Sequence, residues 1–207
     1  MEKIIYIIIL IILENDFYKD INTLYSPTSY DILVNKNNRL TKDYIPNDLE
    51  MIDIRYSCKD KYLRHEARVL FEEMAKNAKK EGYNIIAVST YRPYEYQYKI
   101  YNNYVKEKGK YYADLASARA GHSEHQTGLA VDVADISLDY DNFEKTKEFN
   151  WMKNNAHKYG FILRYPKAKF HITGFKYEPW HSRYVGVNIA TYIYNSNITL
   201  EEYKKMH

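Results

Sequence analysis

Two short stretches carry side chains whose types and spacing suit hydrolytic chemistry. In "SEHQTGLAVD", Ser123 to Asp132, a histidine and a glycine precede a strand-like run with an aspartate inside it. Strand interiors disfavour Asp, and burying its charge is costly without a partner, so something must neutralise Asp132. His125 stands before Gly128, where a loop-to-strand corner lets both side chains point at one ion. "EPWH" adds Glu178 and His181, with Pro179 biasing Glu178 to an extended backbone. Two imidazoles and one carboxylate form a zinc set that leaves the fourth tetrahedral position to water, which makes His125, Asp132 and His181 the candidate ligands. Glu178 is then the spare carboxylate, able to move a proton between water and a leaving amine in peptide hydrolysis. Arg92, at the end of "AVSTYR", is of the type that stabilises an oxyanion or grips a carboxylate. Trp180, between base and ligand, is expected to shape the cleft wall.

His122 forms an H-x-x-H pair with His125 and is the rival ligand, ranked below the others as a rim or structural residue. "RHEAR" lacks a second His at i+4, so it is no zincin helix. Cys58, the single cysteine, supports neither a disulfide nor a Cys-x-x-Cys zinc pair; a thiol mechanism through it is the remote alternative.

The positioning elements are legible as patterns. Leu63, Ala67, Leu70, Phe71, Met74 and Ala78 recur at helical spacing over Lys61 to Lys80, with Gly82 as the stop. "NIIAVSTYR" reads as a buried strand, Pro93 opens a helix through about Lys108, and "ADLASARA" reads as a further helix. "GLAVDVAD" alternates, placing Leu129, Val131 and Val133 on one face and Ala130, Asp132 and Ala134 on the other. "TKEFNWMKNNAHKYG" reads as a helix closed by Gly160, and "FILRYP" and "EPWHSRYVG" as strands. The mixture predicts an α+β single domain, with helices packed on a central, mainly antiparallel sheet that carries the zinc site.

Four of these motifs, "STYRPYEYQ", "SEHQTGLAVD", "YGFILRYP" and "EPWHSRYVG", resemble in order those of the VanY-type D-alanyl-D-alanine carboxypeptidases. These are zinc peptidases of bacterial cell-wall metabolism, a family that also includes L,D-carboxypeptidases and phage peptidoglycan endopeptidases. The resemblance spans Asn35 to Gly186. It implies Zn²⁺ held by His125, Asp132 and His181, Glu178 as catalytic base, Arg92 at the scissile carbonyl, and Gln97 and Ser123 lining the substrate cleft. The implied reaction is removal of the terminal D-Ala from peptidoglycan stem peptides. The alternatives are an L,D-carboxypeptidase, an endopeptidase, or a non-catalytic module that binds wall peptides; the last would need no Glu178.

At 207 residues the chain is long enough for one domain with a sizeable core. Lys+Arg 30 against Asp+Glu 27, net +3, with no block of like charge, excludes a nucleic-acid arm and predicts no nucleic-acid partner. Residues 1–13 form a hydrophobic signal-like or anchor segment, from which we expect export to the cell envelope and, if retained, membrane association. Residues 14–57 read as a polar linker or wrapping arm, and 58–207 as the zinc peptidase domain, expected to be a monomer.

Overall fold

A four-stranded sheet holds the centre of the computed structural model, which describes residues 17–207. In chain order the elements are β1 (Asn22–Leu24), β2 (Asn38–Leu40), β3 (Leu49–Met51), β4 (Tyr62–Arg64), α1 (His65–Lys80), β5 (Ile86–Ser89) and α2 (Tyr94–Ala116). They continue with β6 (Ala130–Ala134), α3 (Lys147–Asn155), β7 (Phe161–Leu163), α4 (Phe170–Thr173), β8 (His181–Tyr184), α5 (Val187–Ser196) and α6 (Leu200–Met206). The central sheet has the order β5-β6-β8-β7, and every neighbouring pair is antiparallel. The α+β architecture with a mainly antiparallel sheet is therefore the one expected.

The alternation of "GLAVDVAD" does the positioning. Leu129, Val131 and Val133 enter the main core with Phe71 and Met74 of α1, which leaves Asp132 on the opposite face. On that face Asp132 is paired across the ladder with His181 of β8 and with Ser89 of β5. The register of β5 shifts between Ala87 and Ser89, a β-bulge that re-aims Ser89 at Asp132.

Two expected helices differ in extent. Residues 61–64 do not start α1: Tyr62–Arg64 pairs antiparallel with Leu49–Met51, and the Arg64 N–H donates to the Gly128 carbonyl at 2.9 Å. Tertiary partners take those backbone groups, overriding helical spacing. The two helices expected on either side of Lys108 are one kinked element, α2, bent at Gly109 with φ +81°. It stops at Ala116, because the Gln97 amide holds the Ser117 hydroxyl and the Ala118 carbonyl in an extended segment.

The run 1–13 lies outside the described residues, and no described helix is long and apolar enough to cross a membrane. Residues 17–57 carry β1–β3 and send Ile32, Val34, Leu40 and Ile52 into the main core. At the other end, Thr199 and Glu202 form a capping box on α6, which seats Leu200 in a second, smaller cluster with Ile162, Val185 and Ile193.

Gly160 ends the turn after α3 with φ +81°, and a Cβ there would stand 2.5 Å from the buried Tyr184 ring and 3.1 Å from the Gly186 carbonyl carbon. Left-handed backbone and overpacking together predict that Gly160→Ala destabilises the fold by about 2–4 kcal/mol. Urea unfolding of the variant checks this, and an unshifted midpoint would refute it.

Candidate active site

His125 sits in a short 3-10 turn, Glu124–Thr127, capped by Ser123, whose Oγ accepts the His125 N–H at 3.3 Å. Gly128 closes the turn in left-handed backbone, φ +68°, and its missing side chain leaves room for Leu49, 2.7 Å from where a Cβ would be. The His125 Nδ1–H donates to the Thr90 carbonyl at 2.7 Å, so Nε2 presents its lone pair to the cleft. Burial, and after it the Arg92 charge, push His125 down to about 4 and keep it neutral.

Asp132 Oδ2 faces that nitrogen at 3.3 Å, and Arg92 Nη2 donates to both atoms at 2.8 Å. Two lone-pair atoms thus share one cationic donor. On the other oxygen, His181 Nδ1 stands 2.8 Å from Asp132 Oδ1. Burial opposes the charge on Asp132, but His181, 2.8 Å from Oδ1, outweighs it and holds the carboxyl well below the ordinary range. Burial likewise opposes a charged His181, yet Asp132 and Glu124 raise it to about 9.

The three candidate ligands are 3%, 7% and 4% exposed, and their ligand atoms lie within 4.8 Å of one another. Two imidazoles and a carboxylate, buried, converging, and already collecting positive charge, are a donor set that fits Zn²⁺. Bound there, a cation would take the electron pairs that Arg92 now engages.

A turn from Glu178 to His181, closed by the His181 N–H donating to the Glu178 carbonyl at 3.2 Å, puts Glu178 beside the ligands. No hydrogen bond reaches its carboxyl among the described residues, and burial pushes it up to about 7. Glu178, Arg92, Ser123, Trp180 and the three candidate ligands all border one cleft of about 920 Å³. Trp180 forms part of the wall, edge-on to Tyr140 at 5.4 Å. Gln97 borders the cleft too, but its amide is taken up internally: Oε1 accepts from Arg92 Nη1 at 3.0 Å while Nε2 holds the Ser117–Ala118 segment.

His122 turns away, its Nδ1–H donating to the Asn35 carbonyl at 2.9 Å, so the rival ligand is a structural residue. Arg164 and Arg183 are completely buried and both donate to Glu124 Oε1 at 2.7 Å. Glu124, adjacent to His125 in sequence, was not singled out by its motif; the signal was its place between two residues already of interest.

The VanY family, described as D-alanyl-D-alanine carboxypeptidase, matches residues 60–187. A putative carboxypeptidase of Bacillus subtilis (strain 168), YodJ, is 43% identical over 204 residues, covering 92% of this chain and 75% of that protein. Among solved structures, the LdcB LD-carboxypeptidase is similar at a TM-score of 0.78 and 46% identity, covering 84% of each chain. A variant of the vancomycin-resistance D,D-pentapeptidase VanY in complex with Zn(II) superposes at a TM-score of 0.73 with 32% identity, covering 84% of this chain and 98% of that one. Matched over more than half its length, with motifs and fold in agreement, the chain belongs to the VanY family of D-alanyl-D-alanine carboxypeptidases.

Proposed function

We propose that this chain is a zinc-dependent carboxypeptidase that removes the C-terminal D-alanine from peptidoglycan stem peptides. One observation carries the reading: a single cleft joins three converging ligand groups to Glu178, a carboxyl that burial has moved to about 7. Zn²⁺ held by His125, Asp132 and His181 would supply Lewis acidity towards water and a carbonyl oxygen. Glu178 takes the proton of the attacking water and delivers it to the leaving amine nitrogen, and a pKa near neutrality suits both transfers.

Arg92 faces the negative charge that grows on the scissile carbonyl oxygen. Its Nε and Nη1 are fixed by Ser89 and Gln97, both at 3.0 Å, so little reorganisation is needed as the charge develops. Gln97 therefore serves substrate through Arg92. Ser123 has a hydroxyl proton left to offer substrate, and Trp180 supplies an apolar wall. The substrate places the enzyme at the cell envelope, in keeping with export directed by residues 1–13.

A second reading, L,D-cleavage of a tetrapeptide, is favoured by the higher identity to the LdcB LD-carboxypeptidase, 46% against 32% for VanY. Mass-spectrometric analysis of a muramyl pentapeptide ending in D-Ala-D-Ala decides between them. We expect Zn²⁺-loaded protein to release one alanine, a chelator to abolish the release, and added Zn²⁺ to restore it. Cleavage of the tetrapeptide alone selects the second reading, and inertness towards both by zinc-loaded protein refutes the peptidase.

The base is tested separately. Glu178→Gln should lower kcat by about 10²–10⁴-fold with Zn²⁺ content unchanged. Because Glu178 acts as its carboxylate, kcat/KM rises with pH through its pKa. Burial raises that pKa from 4.5 to about 7 and a bound cation's charge lowers it again, so the acid limb falls between those values. A flat profile across about pH 4 to about pH 8 would remove Glu178 from the role.

A further inference from the structure

Glu124 is a carboxylate of 1% exposure that the proposed reaction leaves without a task. Its Oε1 accepts from Arg164 Nε and Arg183 Nη1, both at 2.7 Å, and its Oε2 lies 3.3 Å from His181 Nε2. Arg164 extends the chain of contacts, forking onto Glu201 of α6 at 2.9 and 2.7 Å. Arg183 extends it the other way, with Nη2 donating to the Tyr30 and Ile32 carbonyls at 2.9 and 2.8 Å. Every charged group in this network has a side chain between 0% and 6% exposed.

The charges close on themselves. Two guanidinium groups balance Glu124 and Glu201, so the cluster is neutral without any charge on His181, and neither arginine is free to meet substrate. What Glu124 still offers is an oxygen aimed at the far nitrogen of a candidate metal ligand. The Tyr165 ring stacks on the same imidazole at 4.9 Å, limiting its tilt. An imidazole that commits one N–H to a carboxylate has its other nitrogen turned to a fixed place.

We propose that Glu124 is a positioning residue for His181, clamped by Arg164 and Arg183 so that it takes the Nε2–H and leaves Nδ1 directed at Asp132 and the metal. The inference rests on the zinc reading above and makes the segment around Tyr30 and the helix α6 contributors to metal affinity. A cluster that served folding alone would leave that affinity untouched.

The test uses the full chain loaded with Zn²⁺. Long-range ¹H–¹⁵N correlation spectra should show His181 bound to metal through Nδ1 with Nε2 protonated. In Glu124→Gln, Zn²⁺ affinity measured by competition with a chromophoric chelator should fall about 10–100-fold. Metal on Nε2 of His181, or a folded Glu124→Gln that holds Zn²⁺ as tightly as the parent, overturns the proposal. Where that variant fails to fold, the nitrogen assignment on the unaltered chain decides alone. A parent chain that binds no Zn²⁺ refutes the zinc reading itself, an outcome distinct from coordination through the wrong nitrogen.

Discussion

The desolvated charge of Asp132 is the constraint around which the rest of the site is arranged. A carboxylate only 7% exposed loses most of its hydration, a cost of several kcal/mol unless protein groups replace the water. Here the replacements arrive from three elements. The ladder sets His181 directly opposite, the bulge in β5 brings Ser89 and through it Arg92, and the turn before β6 swings His125 Nε2 to 3.3 Å. Each is a backbone event. Site geometry is thus a product of strand register, and a one-residue slip in β6 would send Asp132 into the apolar core and Val131 or Val133 into the cleft.

Positive charge is also rationed. Among the described residues Arg92 is the only guanidinium bordering the cleft, while Arg164 and Arg183, on the same face of the sheet as His181, are locked in place by Glu124 and Glu201. Removing one member of such a buried set would strand the others, so the cluster ties the segment 17–57, the turn at His125, β8 and α6 into one unit. That explains why chain pieces far apart in sequence meet behind one imidazole.

The grouping of His125, Asp132 and His181 was legible in sequence because period-two alternation states which face a strand residue occupies, and "GLAVDVAD" alternates cleanly. The sheet class was legible in the mixture of helical and strand patterns along the chain. The bulge at Val88 was not, since an extra residue in a β-branched run leaves the local pattern intact. Nor was the strand at Tyr62–Arg64, whose partners Leu49–Met51 come from a segment too polar to suggest pairing. Gln97 carried no mark that its amide would serve Arg92, and Arg164 and Arg183 looked as available to substrate as to structure. In each case the deciding term is a tertiary hydrogen bond, and nothing local encodes its partner.

Of the carboxyls that line the cleft, Asp132 and Glu178 are driven apart by their surroundings. Asp132 accepts from Arg92 and His181 and lies well below the ordinary range, whereas Glu178, equally dehydrated but given no hydrogen bond among the described residues, rises to about 7. Asp132 also adds to that rise, because an ionised neighbour disfavours a second negative charge. The same desolvation therefore yields a permanent anion suited to holding a cation and a carboxyl poised to exchange a proton near neutrality. The difference lies in the donors: His181 and Arg92 both donate to Asp132. Relaxing that concentration towards Glu178 would lower its pKa and weaken the cation seat at once, so the two functions are coupled through one set of hydrogen bonds.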